Sequence, residues 1–109
     1  MSINYTNSCI VHISNIKDKN ELIKELSEQL KFPDYFGYNW DALYECLTDL
    51  SWIQERHIVI VHDFKLNIDI ESLNTYLYLL YDANNKWKEK DEHTLEILFH
   101  QDGTSKRDY

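Results

Sequence analysis

A chain of 109 residues, 43% hydrophobic and 14% aromatic, is long enough for one domain with a single core and needs neither metal nor disulfide staples. The formal net charge of −8 argues against direct binding of nucleic acid or an anionic membrane, both of which need a basic face, and leaves basic proteins as candidate partners. No apolar run approaches the length of a membrane span, and the opening MSINYTNS lacks the basic and apolar regions of a signal peptide, so the expected location is the cytoplasm.

Residues 8–13, SCIVHI, are apolar and β-branched and predict a first strand. Asp18 or Asn20 can cap a helix that carries Leu22, Ile23, Leu26 and Leu30 on one face. Pro33 is expected to stop it, because the residue before a proline is steered out of the helical region. After a loop containing Gly37, Asn39 is placed to cap a second helix ending near Leu50. Residues 57–64, HIVIVHDF, hold Ile58, Val59, Ile60 and Val61 in succession, a run suited to a strand covered on both faces. Asp69 can cap a long helix over residues 70 to about 86, with an apolar stripe of Ile70, Leu73, Tyr76, Leu77, Leu80 and Trp87. A charged connection, residues 86–93, leads to a third strand over residues 94–99. Residues 1–100 read as one domain and 101–109 as a polar, mobile tail. Helices alternating with strands predict an α/β fold, a small three-stranded parallel sheet flanked by helices with right-handed crossovers.

One stretch departs from the rest. FPDYFGYNWDALYECLTDL, residues 32–50, holds the only proline and one of the two glycines. No Lys or Arg occurs between Phe32 and Glu55, yet Asp34, Asp41, Glu45, Asp49 and Glu55 fall there, with seven of the fifteen aromatics. On a helical wheel Leu43, Cys46, Leu47 and Leu50 share the side that must face a core. Asp41, Glu45 and Thr48 take the opposite side, with Tyr44 at its edge. Asp41 and Glu45 are neighbours at i,i+4, a like-charge pairing that costs about 0.2–0.5 kcal/mol. Asp41 recovers part of this near the positive end of the helix dipole; Glu45 has no such compensation in the segment. The spacing fits a solvated acidic face. It also fits a binding surface, with Tyr35, Phe36, Tyr38 and Tyr44 as the rings beside the charge and Phe36 and Trp40 turned to the core.

The run PDYFGYNWDALYECLTDL resembles the core motif of the barstar family, intracellular inhibitors of secreted ribonucleases. The shared pattern is proline, an acid, two aromatics, Gly, a variable residue, Asn, an apolar residue, Asp-Ala-Leu, an aromatic, an acid and Cys-Leu-Thr. The resemblance implies a three-stranded parallel sheet with helices, and a loop and second helix that plug a ribonuclease active site. It places Tyr35, Gly37 and Asn39 on the binding loop. Asp41, Tyr44 and Glu45 fall on the binding face of the second helix, with Glu45 in the place of the family's central aspartate. Asp82, in Leu80-Tyr81-Asp82-Ala83, becomes a peripheral acidic contact, whereas Glu71 and Tyr78 read as solvated helix face. The implied partner is a basic ribonuclease or nuclease toxin domain other than barnase itself, which would make the chain a monomeric immunity protein without cofactor. Departures from the pattern are Glu45 in place of Asp, Tyr44 where tryptophan is common, a longer connection before the third strand, and the tail.

Other functions find less in the residues. Two acids side by side on a convex helix do not flank a bond as glycosidase carboxylates do. The histidines at 12, 57, 62, 93 and 100 show no ligand spacing, and there is no phosphate loop or GxSxG. Cys9 and Cys46 lie outside any CxxC pattern and read as reduced, buried thiols. The alternative to a ribonuclease inhibitor is an acidic mimic of nucleic acid that binds a basic protein which is not a nuclease.

Overall fold

The computed structural model describes residues 8–63 and 66–99. The tail at 101–109 and the end of the run at Phe64 lie outside the described residues. Chain order is β1 (Ser8–Ile13), α1 (Lys19–Gln29), α2 (Trp40–Leu47), β2 (His57–His62), α3 (Ile70–Lys90) and β3 (Thr94–Phe99). The strands form one parallel sheet in the order β1-β2-β3. Its register places Val11 beside Ile60 and Ile60 beside Ile97.

Helix starts follow side-chain chemistry. Asp18, Asn39 and Asp69 each accept a hydrogen bond from a backbone N–H three residues on, which satisfies a donor that the helix leaves free. Helix ends fall elsewhere than expected. α1 stops at Gln29, before Pro33 can act, because Lys31 adopts a left-handed conformation (φ 56°). The Lys31 and Phe32 amides then reach back to the Glu28 and Ser27 carbonyls, the two-bond closure of a Schellman motif. α2 stops at Leu47, and its closing turn runs on to a left-handed, fully buried Leu50. α3 takes in most of the charged connection, ending at Lys90 with Asp91 left-handed.

The sheet is covered on one face, a correction to the expectation for β2. Ile58 and Ile60 are fully buried in one cluster with Val11, Ile13 and Leu95 and apolar residues of all three helices. Val59 and Val61 alternate with them and are only partly buried. On their side Ile10 is 60% and Leu98 is 40% exposed. Topology gives the reason: two crossovers of the same hand that both step in the same direction put their helices on the same face.

The α3 stripe is also rotated from its expected phase. Tyr76, Leu80 and Trp87 are buried as expected, but Leu79 and Ala83 join them, while Ile70 and Leu77 are exposed. The sequence offers two overlapping apolar series at helical spacing. The buried one brings Leu79 and the small Ala83 against the core, and the two large polar-tipped rings common to both series find acceptors there. The Tyr76 hydroxyl donates to His62 Nε2 (2.6 Å), and the Trp87 indole donates to the Leu47 carbonyl (2.7 Å).

His62 is fully buried at the C-terminal end of β2, where it stacks on Phe99. Its Nδ1–H donates to the Leu98 carbonyl (3.0 Å), which fixes the tautomer and leaves Nε2 to accept from Tyr76. Burial holds the imidazole pKa below its ordinary 6.5. The fold therefore favours neutral His62, and the unfolded chain binds the proton more readily. The resulting stability is fully present above the unfolded pKa and is lost as pH falls below it. Chemical denaturation is expected to show a midpoint that drops between about pH 7 and about pH 5. At neutral pH, Tyr76→Phe is expected to cost about 1–3 kcal/mol, because His62 Nε2 is then buried without a donor.

Candidate functional site

The acidic stretch folds as a loop followed by a short helix pressed on the core. Leu43, Cys46 and Leu47 are the buried side of α2, as the wheel predicts, and Phe36 is buried with them. Trp40 is partly buried against the same core. In the loop, rings meet edge to face from Trp52 to Phe32, Phe32 to Phe36 and Phe36 to Tyr38. The Trp52 indole donates to the Leu30 carbonyl (2.8 Å) and so ties this row of rings to the end of α1. The left-handed residue in the loop is Tyr38 (φ 56°), not Gly37, whose φ lies outside that region. A Cβ added at Gly37 would meet Asn39 Nδ2 at 3.4 Å and Ala42 Cβ at 3.8 Å, ordinary contacts, so neither the backbone nor the space at this position demands glycine.

The seven residues singled out from sequence fall into three settings. Asp41 and Glu45 are exposed on the outer side of α2, and Tyr35 is 76% exposed on the loop with Gly37. Asn39 is committed to the helix start: its Oδ1 accepts from the Ala42 amide (2.8 Å). Tyr44 and Asp82 are partly buried and bound to each other, the phenol donating to Asp82 Oδ2 at 2.5 Å across α2 and α3.

Glu45 stands on a ridge between two grooves. One, of about 430 Å³, lies between α2 and α3, with Asp41, Tyr44 and Glu45 on one wall and Thr75, Tyr78 and Asp82 on the other. The second, of about 250 Å³, lies between the loop and α2 and is bordered by Tyr35, Gly37, Glu45 and Asp49. Three of these lining residues, Thr75, Tyr78 and Asp49, are additions to the site read from sequence. Tyr78, read there as solvated helix face, is 72% exposed yet lines the first groove. Asp49 continues the i,i+4 series Asp41, Glu45, and that spacing was the available signal.

None of these carboxylates has an ion-pair partner among the described residues. The ion pairs among the described residues are His12–Asp63, Lys24–Glu28 and Arg56–Asp91, all outside the two grooves. Neighbouring groups register the negative field. Burial raises the Cys46 thiol pKa first, and Asp49 and Glu45 raise it further. Tyr44 is pushed up to about 12, first by its hydrogen bond to Asp82, then by desolvation and by the charge of Asp82. Convergent carboxylates beside aromatic rings are suited to guanidinium or ammonium groups. No three His, Cys, Asp or Glu side chains among the described residues are grouped to hold a metal ion. Cys9 and Cys46 are unpaired thiols, Cys46 buried and Cys9 half-buried.

Fold and site together define a small two-layer α/β domain that displays an unneutralised acidic helix between aromatic-lined grooves. The Barstar (barnase inhibitor) family model matches residues 6–100, and the chain belongs to that family. Among curated proteins it is similar to the "Putative ribonuclease inhibitor YrdF" of Bacillus subtilis (strain 168), with 36% identity over 53 residues. That match covers 49% of this chain and spans half the length of the relative. No helix among the described residues is long and apolar enough to cross a membrane.

The Tyr44 contact has a measurable signature. Because its phenol pKa is raised in the fold, the stability it confers is complete below the ordinary value of 10 and is lost as pH rises toward about 12. Replacing Asp82 with Ala is expected to return the titration of Tyr44 toward 10, followed by phenolate absorbance or by NMR of labelled tyrosine rings.

Proposed function

We propose that this chain is a protein inhibitor of a ribonuclease, blocking the active site of a cognate nuclease or toxin domain with α2 and the preceding loop. The carrying observation is the pair Asp41 and Glu45, exposed and without an ion-pair partner among the described residues, both lining the α2–α3 groove, with Glu45 also bordering the second groove. A ribonuclease site binds phosphate and is therefore cationic, so carboxylates held in a fixed array can take the place of the substrate's charge. Opposed fields also speed the encounter of an acidic inhibitor with a basic enzyme. Family membership and the name of the relative matched over half its length support this reading. In this reading the chain acts as an immunity protein, a cytoplasmic monomer that uses no cofactor and catalyses nothing. Tyr35 and Gly37 present the loop, Asn39 fixes the start of α2, Asp41 and Glu45 enter the enzyme's cationic site, and Tyr44 and Asp82 complete the wall.

The direct test is stoichiometric inhibition of the ribonuclease encoded beside this gene, with barnase alongside. Asp41→Ala and Glu45→Ala are each expected to weaken binding by more than about 2 kcal/mol with the fold retained. Full binding by the double variant would overturn the site, and tight binding that leaves the nuclease active would favour a mimic of nucleic acid instead. Position 45 also reports on the partner. Glu45→Asp shortens the reach by about 1 Å and is expected to abolish inhibition of a partner matched to Glu, read as a loss of inhibition at equimolar inhibitor. Improved inhibition of barnase by the same variant would mark the longer side chain as a mismatch for that enzyme.

A further inference from the structure

Four of the groups that line the α2–α3 groove, Asp41, Tyr44, Glu45 and Asp82, are not equivalent. Asp41 and Glu45 are exposed and make no ion pair among the described residues, whereas Tyr44 and Asp82 are partly buried and engaged with each other. Their hydrogen bond joins two helices across 38 positions of chain. Two side-chain hydrogen bonds connect α2 to α3 among the described residues. The other, from Trp87 to the Leu47 carbonyl, lies at the buried C-terminal end of α2. The N-terminal end is held by the Asn39 cap. The Tyr44 contact is thus the polar tie at the middle of the helix, on the side where the groove opens.

A hydrogen bond from a phenol to a carboxylate is strong and directional. It restricts the Tyr44 ring and the Asp82 carboxylate together, and each loses freedom it would otherwise lose when a partner binds. We propose that Tyr44 and Asp82 form a clasp that fixes the width of this groove before the partner arrives, acting as one positioning pair and not as two independent contacts. The inference rests on the ribonuclease-inhibitor reading and deepens it. Asp41 and Glu45 supply the free charge, and the clasp decides where the opposite wall stands relative to it. One oxygen of Asp82 is engaged by Tyr44, so the partner's cation meets a carboxylate already oriented by the phenol.

The test is a double-variant cycle with Tyr44→Phe, Asp82→Ala and the pair, made at a temperature where all four proteins are fully folded by circular dichroism. Two readouts are needed. In the free protein, Asp82→Ala should return the Tyr44 titration toward its ordinary value; an unchanged titration shows that no clasp exists in solution and overturns the inference without any partner. In inhibition of the ribonuclease encoded beside the gene, each single variant should weaken binding about tenfold. The double variant should be no weaker than the worse single one, since the second change removes nothing further once the clasp is broken. Fold-changes that multiply would overturn the clasp as a positioning device while leaving the inhibitor function standing. A wild-type chain that inhibits neither that enzyme nor barnase would overturn the function, and the positioning role with it, even where the titration shows the clasp intact.

Discussion

A single buried hydrogen bond holds the acidic helix where it can be used. α2 has eight residues, too few to be stable on its own, and its last carbonyls have no partner within the helix. The Trp87 indole, itself almost fully buried on α3, donates to one of them at Leu47. That contact satisfies a buried acceptor and a buried donor at once, and fixes the end of α2 against the long helix. With Asn39 closing the other end and Leu43, Cys46 and Leu47 packed beneath, the outer side of α2 is left free to carry charge without having to contribute to packing.

The sheet topology makes this arrangement possible. Because both crossovers step the same way, all three helices share one face, and α2 lies among the helices and not against a second layer of its own. The cost, among the described residues, is a partly exposed outer face and a sheet with two edges. One edge is closed locally by Gln29, whose side-chain amide bonds both the N–H (3.0 Å) and the carbonyl (2.8 Å) of His12, in the manner of a neighbouring strand. Three Trp and Tyr side chains follow a related logic elsewhere: Trp52, Trp87 and Tyr76 bury large rings and deliver a donor to the end of α1, the end of α2 and His62 respectively.

The acids on α2 oppose stability. Asp41 and Glu45 stand at i,i+4 with no cation in the segment, a like-charge pairing unfavourable by a few tenths of a kcal/mol, about 0.2–0.5, and Asp49 adds a third negative charge in the turn beyond the helix. A solvated surface under selection for stability alone would intersperse Lys or Arg. The same charges become favourable when a cationic surface closes over them, which is the physical case for reading this face as half of an interface. Glu45 is the point at which that reading is most specific. It borders both grooves, and its length sets how far the central carboxylate projects.

The sequence by itself determined the elements, their order and the outward charge. Caps at Asn39 and Asp69, β-branched runs and the wheel of α2 are local: each depends on residues within a turn or two, so spacing reads them directly. Lys31, Tyr38 and Leu50 illustrate the limit of that reading, since non-glycine residues take up left-handed conformations that local preference disfavours and the packed helix ends require. Tertiary structure alone decided the one-sided sheet, which of two overlapping stripes on α3 faces inward, the Trp87 anchor, and the meeting of Tyr44 with Asp82. Each of these depends on residues distant in the chain that meet only when the core closes, so spacing along the sequence does not register them.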